Sequence, residues 1–269
     1  MRNEENTDFF AARRPRVMAH RGFSAEYPEN TMLAFRAAVE AGADYIELDV
    51  HCTRDGQVVV FHDSDFSRIA SDDRLIEQMT MAEIEAIDAA HNFSTVHGSW
   101  PFRGQGIRAP TLLEVLSTWP TIRFVIEFKP RDSAIAEAAI EVVRRARMER
   151  QVLFASEHLT PIAHARKLAP EIPTNLAASE IVAFVQSLTS GAAYHPIGDA
   201  LQIPPEHDGF KLATPEVVAA AHRNGLEVHV WTINDRPEME QMLSLGVDGI
   251  MTDHPSRLLD LIHSRRAEA

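Results

Sequence analysis

Side chains of the types that act in catalysis are concentrated in the first quarter of the chain. They lie in His20-Arg21-Gly22, Glu47-Leu48-Asp49 and His62-Asp63. Each segment stands at or just beyond the end of a short apolar run, and such runs are typical of buried β-strands. Histidine titrates near neutral pH, so a pair of histidines can supply both a general acid and a general base.

The carboxylates have the spacing of a metal site. Glu47 and Asp49 point to the same side of a strand with their Cα atoms about 6–7 Å apart, because successive strand residues alternate faces. Two carboxylates in such an apolar run repel each other unless a cation lies between them. Glu127 closes a second apolar run and adds a third carboxylate. This all-oxygen set predicts a divalent metal, Mg²⁺ or Ca²⁺ with Mn²⁺ as a further candidate, rather than Zn²⁺.

Two cationic side chains accompany these carboxylates. Arg21 follows His20, and Lys129 shares a strand face with Glu127. A lysine beside a metal ion is repelled by it unless an anion bridges the two. We therefore predict a small anionic substrate, most simply a phosphate, held by Arg21 and Lys129.

Composition limits the class of protein. The chain has 269 residues, 45% of them hydrophobic, which is enough for one large core. A net charge of −13 argues against nucleic acid as a partner. Cys52 is the only cysteine, so no internal disulfide can form, and we interpret it as a packing residue.

The chain start and the hydropathy pattern carry expectations about location. Residues 1–6 are polar and lack an apolar core of signal-peptide length. No run approaches the roughly 20 apolar residues of a membrane span. We expect a cytoplasmic protein without a transmembrane segment, in which residues 1–15 form a flexible N-terminal tail.

Strand-like and helix-like segments alternate along the rest of the chain. Eight such units in succession predict an α/β protein of the (β/α)₈ TIM-barrel class. The alternative is an open, doubly wound sheet, but no glycine-rich phosphate loop follows the first strand. The predicted strands are Arg16–Ala19, Tyr45–Val50, Phe124–Phe128, Val152–Ala155, Thr174–Ala177, Ala200–Ile203, Glu227–Trp231 and Gly249–Thr252.

The second unit departs from the repeat. Residues 58–61 extend its strand region, and residues 64–110 contain no regular barrel unit. We predict a barrel over residues 16–266 with a small insertion at about 64–110, after the second strand region. The insertion holds a glycine-rich loop with Phe93, Trp100 and Phe102.

The ordered motifs resemble the glycerophosphodiester phosphodiesterase family over about residues 16–262. The motifs are His20-Arg21-Gly22, Pro28-Glu29-Asn30-Thr31, Glu47-Leu48-Asp49, His62-Asp63, Glu127-Phe128-Lys129, Trp231-Thr232-Ile233-Asn234 and Gly246-Val247-Asp248-Gly249-Ile250-Met251-Thr252-Asp253. One departure is Ser64-Asp65-Phe66-Ser67-Arg68-Ile69, which stands where the family has a threonine-rich segment.

The resemblance implies an activity and residue roles. It implies a phosphoric diester hydrolase that releases an alcohol and sn-glycerol 3-phosphate, with metal on Glu47, Asp49 and Glu127 and catalysis by His20 and His62. It also implies that Trp231 lies against the substrate. Which histidine is acid and which is base stays open.

Two other functions remain in view. A lysophospholipase D-like enzyme of the same family would take a lysophospholipid, and the aromatic insertion motivates this alternative. A non-catalytic barrel that serves as a binding module is the more remote alternative, because the sets of carboxylates and histidines are intact.

Overall fold

The computed structural model describes residues 8–94 and 98–268. The strands are β1 (Arg16–His20), β2 (Tyr45–Cys52), β3 (Val58–Val60), β4 (Asp65–Phe66), β5 (Asp72–Leu75), β6 (Arg123–Phe128), β7 (Val152–Ala155), β8 (Ala200–Ile203), β9 (Glu206–His207), β10 (Phe210–Lys211), β11 (Glu227–Val230) and β12 (Gly249–Thr252). The helices are α1 (Met32–Ala41), α2 (Ser67–Ala70), α3 (Met81–Glu85), α4 (Leu112–Thr118), α5 (Ala134–Ala146), α6 (Leu159–Leu168), α7 (Ala178–Ser190), α8 (Pro215–Arg223), α9 (Arg236–Leu245) and α10 (Pro255–Glu268). Two short 3₁₀ helices cover Asp8–Ala11 and Ile76–Gln78.

Seven parallel strands form the main sheet. Their order is β7-β6-β2-β1-β12-β11-β8, and β3 pairs antiparallel with β2. Helices separate most successive parallel strands, so the expected α/β class is confirmed. Because all seven strands run in the same direction, their carboxyl ends meet along one edge, where α/β proteins place their sites.

The predicted strand Thr174–Ala177 is wrong as an extended strand. Within this segment, β-pairing is limited to two isolated bridges, from Thr174 to Phe154 and from Asn175 to Ala200. Pro173 precedes this segment and α7 begins at Ala178, which leaves little room for a ladder. The Arg166 guanidinium also binds this segment: it donates to the Asn175 backbone oxygen at 2.7 Å and to Thr174 Oγ1 at 2.9 Å.

The core consists of layers on both sides of the sheet. Two large apolar clusters lie between the strands and the surrounding helices. A smaller cluster, which includes Met18, Tyr45, Val125 and Met251, is built from side chains on the opposite face of the strands. Strands buried on both faces explain why their sequences are almost continuously apolar, so that polar residues within them mark sites.

Residues 64–110 carry their own small core. Phe66, Ile76, Met79 and Ile84 are buried there and pack against Val59 and Phe61 of the β3 region. The segment contains β4, β5, α2 and α3. The described residues of this segment that form the small core are therefore packed against the second strand region.

The flexible tail over residues 1–15 stays a prediction, and residues 1–7 lie outside the described residues. Phe9 is fully buried, within the cluster that contains Tyr45, and its carbonyl accepts a hydrogen bond from the Tyr45 hydroxyl. Phe9 thus covers apolar surface at the start of β2.

None of the described helices has both the length and the apolar character required to cross a membrane. The cytoplasmic location stays a prediction.

Candidate active site

The strand register brings the predicted residues together. His20 lies beside Glu47 across β1 and β2, and Asp49 lies beside Glu127 across β2 and β6. Neighbouring strands stand about 4.7–4.9 Å apart, so lateral partners are within side-chain reach. His20 is the last residue of β1 and Glu127 the last but one of β6, whereas Glu47 and Asp49 lie within the longer β2 at the same level.

The three carboxylates converge. Glu47, Asp49 and Glu127 each offer an oxygen, and these oxygens lie within 4.8 Å of one another. Glu47 and Asp49 are buried, at 3% and 1% exposure. Burial, with repulsion from Asp49, raises the pKa of Glu47 to about 8, and burial also raises the pKa of Glu127. Such a cluster is unfavourable without a cation.

These carboxylates suit a divalent metal. The set is all oxygen and negatively charged, which Mg²⁺, Ca²⁺ and Mn²⁺ prefer. Asp49 Oδ1 is buried and accepts no hydrogen bond of ordinary geometry from the described residues, although Lys129 Nζ lies 3.0 Å away. An acceptor of this kind, among two other carboxylates, is a candidate ligand atom.

Asp49 is held by groups from two other segments. Asn30 Nδ2 donates to Asp49 Oδ2 at 2.8 Å, and Arg21 Nε lies 3.2 Å from the same oxygen. Burial would raise the pKa of Asp49, but Lys129 and Arg21 hold it below its usual value. Asp49 therefore stays ionised and oriented at the centre of the site.

The two cations both lie against carboxylates. Lys129 Nζ is 2.8 Å from Glu127 Oε1 and 3.0 Å from Asp49 Oδ1. Arg21 contacts Asp49 and donates to Glu29 Oε1 at 3.0 Å. Burial lowers the pKa of Lys129, but Asp49 and Glu127 raise it above its ordinary value, so the lysine stays charged.

The turn after β1 gives Arg21 its position. Arg21 has φ 55°, and its backbone N–H donates to the Glu47 backbone oxygen at 3.0 Å and to Glu47 Oε2 at 3.1 Å. Gly22 has φ 85°, and a Cβ there would lie 2.7 Å from the carbonyl carbon of Ala34. Only glycine lets the turn approach α1 this closely. Thr31 then starts α1, with its hydroxyl accepting from the Ala34 backbone N–H.

His20 is oriented by a carboxylate from the last strand. Its Nδ1 lies 2.7 Å from Asp253 Oδ1, and its Nε2 lies 4.0 Å from Glu47 Oε2. The pKa of Asp253 is lowered to about 2: its hydrogen bonds to His20, Asn234 and Ser24 outweigh burial. An ionised carboxylate only accepts, so Nδ1 carries a proton. Burial lowers the pKa of His20, but Asp253 and Glu47 raise it above its ordinary value overall.

His62 has the same arrangement with a different partner. Its Nδ1 lies 2.6 Å from Asp63 Oδ1, so the proton again stands on Nδ1 and Nε2 is left for substrate. Burial lowers the pKa of His62, and the Lys129 and Arg21 charges oppose protonation further. His62 is therefore mainly neutral near pH 7. The adjacent Phe61 N–H donates to Asp49 O at 2.9 Å, which places His62 beside the middle of β2, close to Asp49.

Trp231 lies one residue beyond β11. It is half-buried, and it packs against the apolar cluster that contains Met18 and Met251. The predicted strand ended at Trp231, whereas β11 ends at Val230. The residue thus stands at the carboxyl edge of the sheet, with its substrate role a prediction.

Three contributors escaped the sequence reasoning. Asp253 and Asn30 are not among the predicted site residues, yet Asp253 contacts His20 and Asn30 donates to Asp49, while Thr31 caps α1. Asp253 follows a strand end like the other site residues, and this signal could have identified it. Arg68, which binds Glu29 and Asp63, gave no such signal because it belongs to the irregular segment after His62.

Comparison with known proteins agrees with this site. Residues 20–257 match the model of the glycerophosphoryl diester phosphodiesterase family. The chain belongs to this family. The expected enzyme class, a phosphoric diester hydrolase, is confirmed by this membership.

Similar family members come from several bacteria. A glycerophosphodiester phosphodiesterase of Bacillus altitudinis is 34% identical over 256 residues, covering 91% of this chain and 97% of the relative. One from Caldanaerobacter subterraneus subsp. tengcongensis is 32% identical over 253 residues, with the same coverage. The structure of an Oleispira antarctica phosphodiesterase in complex with the product sn-glycerol 3-phosphate superposes with a TM-score of 0.74. It is 29% identical, covering 93% of this chain and 97% of that one.

Proposed function

We propose that this protein is a metal-dependent glycerophosphodiester phosphodiesterase that releases an alcohol and sn-glycerol 3-phosphate. The observation that carries the proposal is the convergence of Glu47, Asp49 and Glu127, the first two of them buried, with two histidines that each contact their own aspartate, on the carboxyl side of the sheet. The similarity to a phosphodiesterase whose structure is in complex with sn-glycerol 3-phosphate supports the substrate class.

Glu47, Asp49 and Glu127 would hold the metal, Mg²⁺ or Ca²⁺. When bound, a divalent ion of this kind withdraws charge from a phosphate oxygen and lowers the pKa of a bound hydroxyl. Arg21 and Lys129 neutralise the remaining phosphate charge from fixed positions, since each is already anchored to Asp49. Trp231 lies just beyond β11, at the carboxyl edge of the same sheet, and would contact the glycerol or the alcohol.

The two histidines divide the proton transfers. His62 is neutral with Nε2 bare, so it accepts the proton of the glycerol hydroxyl that attacks phosphorus. His20 has a raised pKa and donates its Nε2 proton to the departing alcohol oxygen as the P–O bond breaks. The product of this step is a cyclic phosphate. Water then opens the ring, with the histidines acting in the reverse sense, to give sn-glycerol 3-phosphate.

We propose in addition that the sheet is a closed (β/α)₈ barrel spanning residues 16–266. Residues 174–175 would occupy the position of the missing strand, because they bridge in parallel to β7 on one side and to β8 on the other. With them, eight segments complete the ring. Residues 64–110 would be the insertion, fixed beside the mouth by its small core.

A lysophospholipid is the second candidate substrate, and one aromatic residue favours it. Phe93 and Phe102 pack with ring centroids 5.7 Å apart, and Phe102 reaches Tyr27 at the same distance, so these half-buried rings contact one another. Trp100 differs, because it is 52% exposed and the Arg103 guanidinium lies over its indole ring, with Cζ 4.3 Å from the ring centroid. An exposed indole beside a cation can contact both an acyl chain and a phosphate headgroup.

One assay distinguishes the candidates. The purified protein is given glycerophosphocholine or lysophosphatidylcholine with added Mg²⁺ or Ca²⁺, and release of choline is followed with and without EDTA. Chelator-sensitive hydrolysis of glycerophosphocholine supports the main proposal. Preference for lysophosphatidylcholine supports the lipid alternative. Failure to hydrolyse either would favour the non-catalytic binding module.

A further inference from the structure

Arg68 is a residue outside the proposed catalytic set that touches two of its supporting carboxylates. It stands in the four-residue helix α2. Its Nε donates to Asp63 Oδ2 at 2.7 Å, while Nη1 and Nη2 donate to the two oxygens of Glu29 at 2.9 and 2.7 Å. The guanidinium thus binds both carboxylates at once, with a bidentate contact to Glu29, the geometry in which arginine is most selective.

Both carboxylates lead directly to the site. Asp63 presents its other oxygen to His62 Nδ1 at 2.6 Å, and Glu29 accepts from Arg21 Nη1 at 3.0 Å. A continuous chain of charge-assisted hydrogen bonds therefore runs from His62 through Arg68 to Arg21. Arg68 itself is held on its backbone side, because Asn92 Nδ2 donates to the Arg68 carbonyl at 3.0 Å.

The two ends of this chain depend on Arg68 to different degrees. Arg21 has other anchors, since its backbone N–H binds Glu47 and its Nε lies 3.2 Å from Asp49. Asp63 Oδ2 has Arg68 as its hydrogen-bonded partner among the described side chains. Loss of Arg68 should therefore disturb His62 more than Arg21.

We propose that Arg68 is a positioning residue that fixes the His62 ring through Asp63 and ties it to Arg21 through Glu29. This inference rests on the proposed function for its kinetic consequence. It links α2 to the site through Arg68, whose side chain need not touch the substrate. The ionised state of both carboxylates agrees with it: hydrogen bonds from Arg68 oppose burial and hold the pKa values of Glu29 and Asp63 below their usual range.

The first test is kinetic. Arg68→Ala should lower kcat on glycerophosphocholine roughly 10- to 100-fold, the scale expected when a catalytic group is misplaced by about 1 Å, with KM changed less than threefold. Arg68→Lys should recover part of the loss, because an ammonium can pair with one carboxylate but cannot bridge both. The matched control is Arg74→Ala: Arg74 lies in the same segment, is similarly exposed and pairs only with Asp72 among the described residues, so kcat should stay within twofold.

A double variant tests the route. If Arg68 acts through Asp63, Arg68→Ala combined with Asp63→Ala should be no slower than the slower single variant, within about threefold. Multiplicative losses would overturn this route. So would a normal kcat in Arg68→Ala, or a loss in Arg74→Ala equal to that in Arg68→Ala.

A measurement without turnover separates this inference from the proposed function. The short His62–Asp63 contact should give a downfield Nδ1 proton resonance, assigned by its absence in His62→Asn. Broadening or loss of this signal in Arg68→Ala, but not in Arg74→Ala, supports positioning, and an unchanged signal overturns it. If the wild-type protein hydrolyses no glycerophosphodiester, the proposed function fails and the resonance alone decides the role of Arg68.

Discussion

The contact between Asp253 and His20 gives a quantitative prediction. Asp253→Asn keeps the shape of the side chain but removes the charge that lies 2.7 Å from His20 Nδ1. A hydrogen bond to a charged group contributes roughly 1.5–3 kcal/mol. At about 1.4 kcal/mol per factor of ten, kcat should fall roughly 10- to 150-fold.

The pH profile should change as well. The Asp253 carboxylate and Glu47 raise the pKa of His20 against the effect of burial. In the proposed mechanism His20 acts while protonated, so activity should be lost as pH rises through its pKa. Removing the Asp253 charge lowers that pKa, and the alkaline limb of kcat against pH should move to lower pH.

Asp248→Asn is the matched control. Asp248 lies immediately before β12, and Asp253 lies immediately after it. At roughly 3.3 Å per strand residue, the two aspartates are about 16 Å apart. It also pairs with a histidine, His222, at 2.8 Å, but at the opposite edge of the sheet. Both variants are assayed for kcat and for thermal unfolding. An unchanged kcat in Asp253→Asn, or an equal loss in the folded control, would refute the reasoning.

Three further predictions follow from the site. EDTA should abolish hydrolysis, Mg²⁺ or Ca²⁺ should restore it better than Zn²⁺, and Glu47→Gln should weaken metal binding measured by calorimetry; full activity of the stripped protein would exclude a metal role. The pKa of His62 lies below 6.5 and that of His20 lies above it, so a plot of kcat against pH should be bell-shaped, with pH 6.5 within its maximum. His62→Ala should remove the acid limb and cost roughly 10²–10⁴-fold, whereas a folded variant with normal rate would return His62 to a structural role. If Trp100 contacts an acyl chain, KM for monomeric lysophospholipids should fall with chain length by up to about 0.8 kcal/mol per buried CH₂, and Trp100→Ala should flatten this trend; no dependence on length would leave the soluble diester.

Much of the site could be predicted because local rules govern it. Glu47 and Asp49 alternate with apolar residues, and a strand places alternate residues on one face whatever surrounds it. A carboxylate in an apolar run needs a cation, so the metal set followed from residue type and spacing. The strands Val152–Ala155, Ala200–Ile203 and Gly249–Thr252 have the predicted bounds, since each is a short apolar run between clear breakers.

Tertiary structure decided what local patterns cannot encode. The pairing of His20 with Asp253 joins residues 233 positions apart, and it exists because β1 and β12 are neighbours in the sheet. Thr174–Ala177 has the composition of a strand, but the Arg166 side chain and the start of α7 limit it to two bridges. Arg68 reaches Glu29, 39 residues away, only because the segment after β3 folds back over the strand ends. Sequence spacing sets which face a side chain occupies, whereas its partner on that face depends on which strands and loops the whole chain brings alongside.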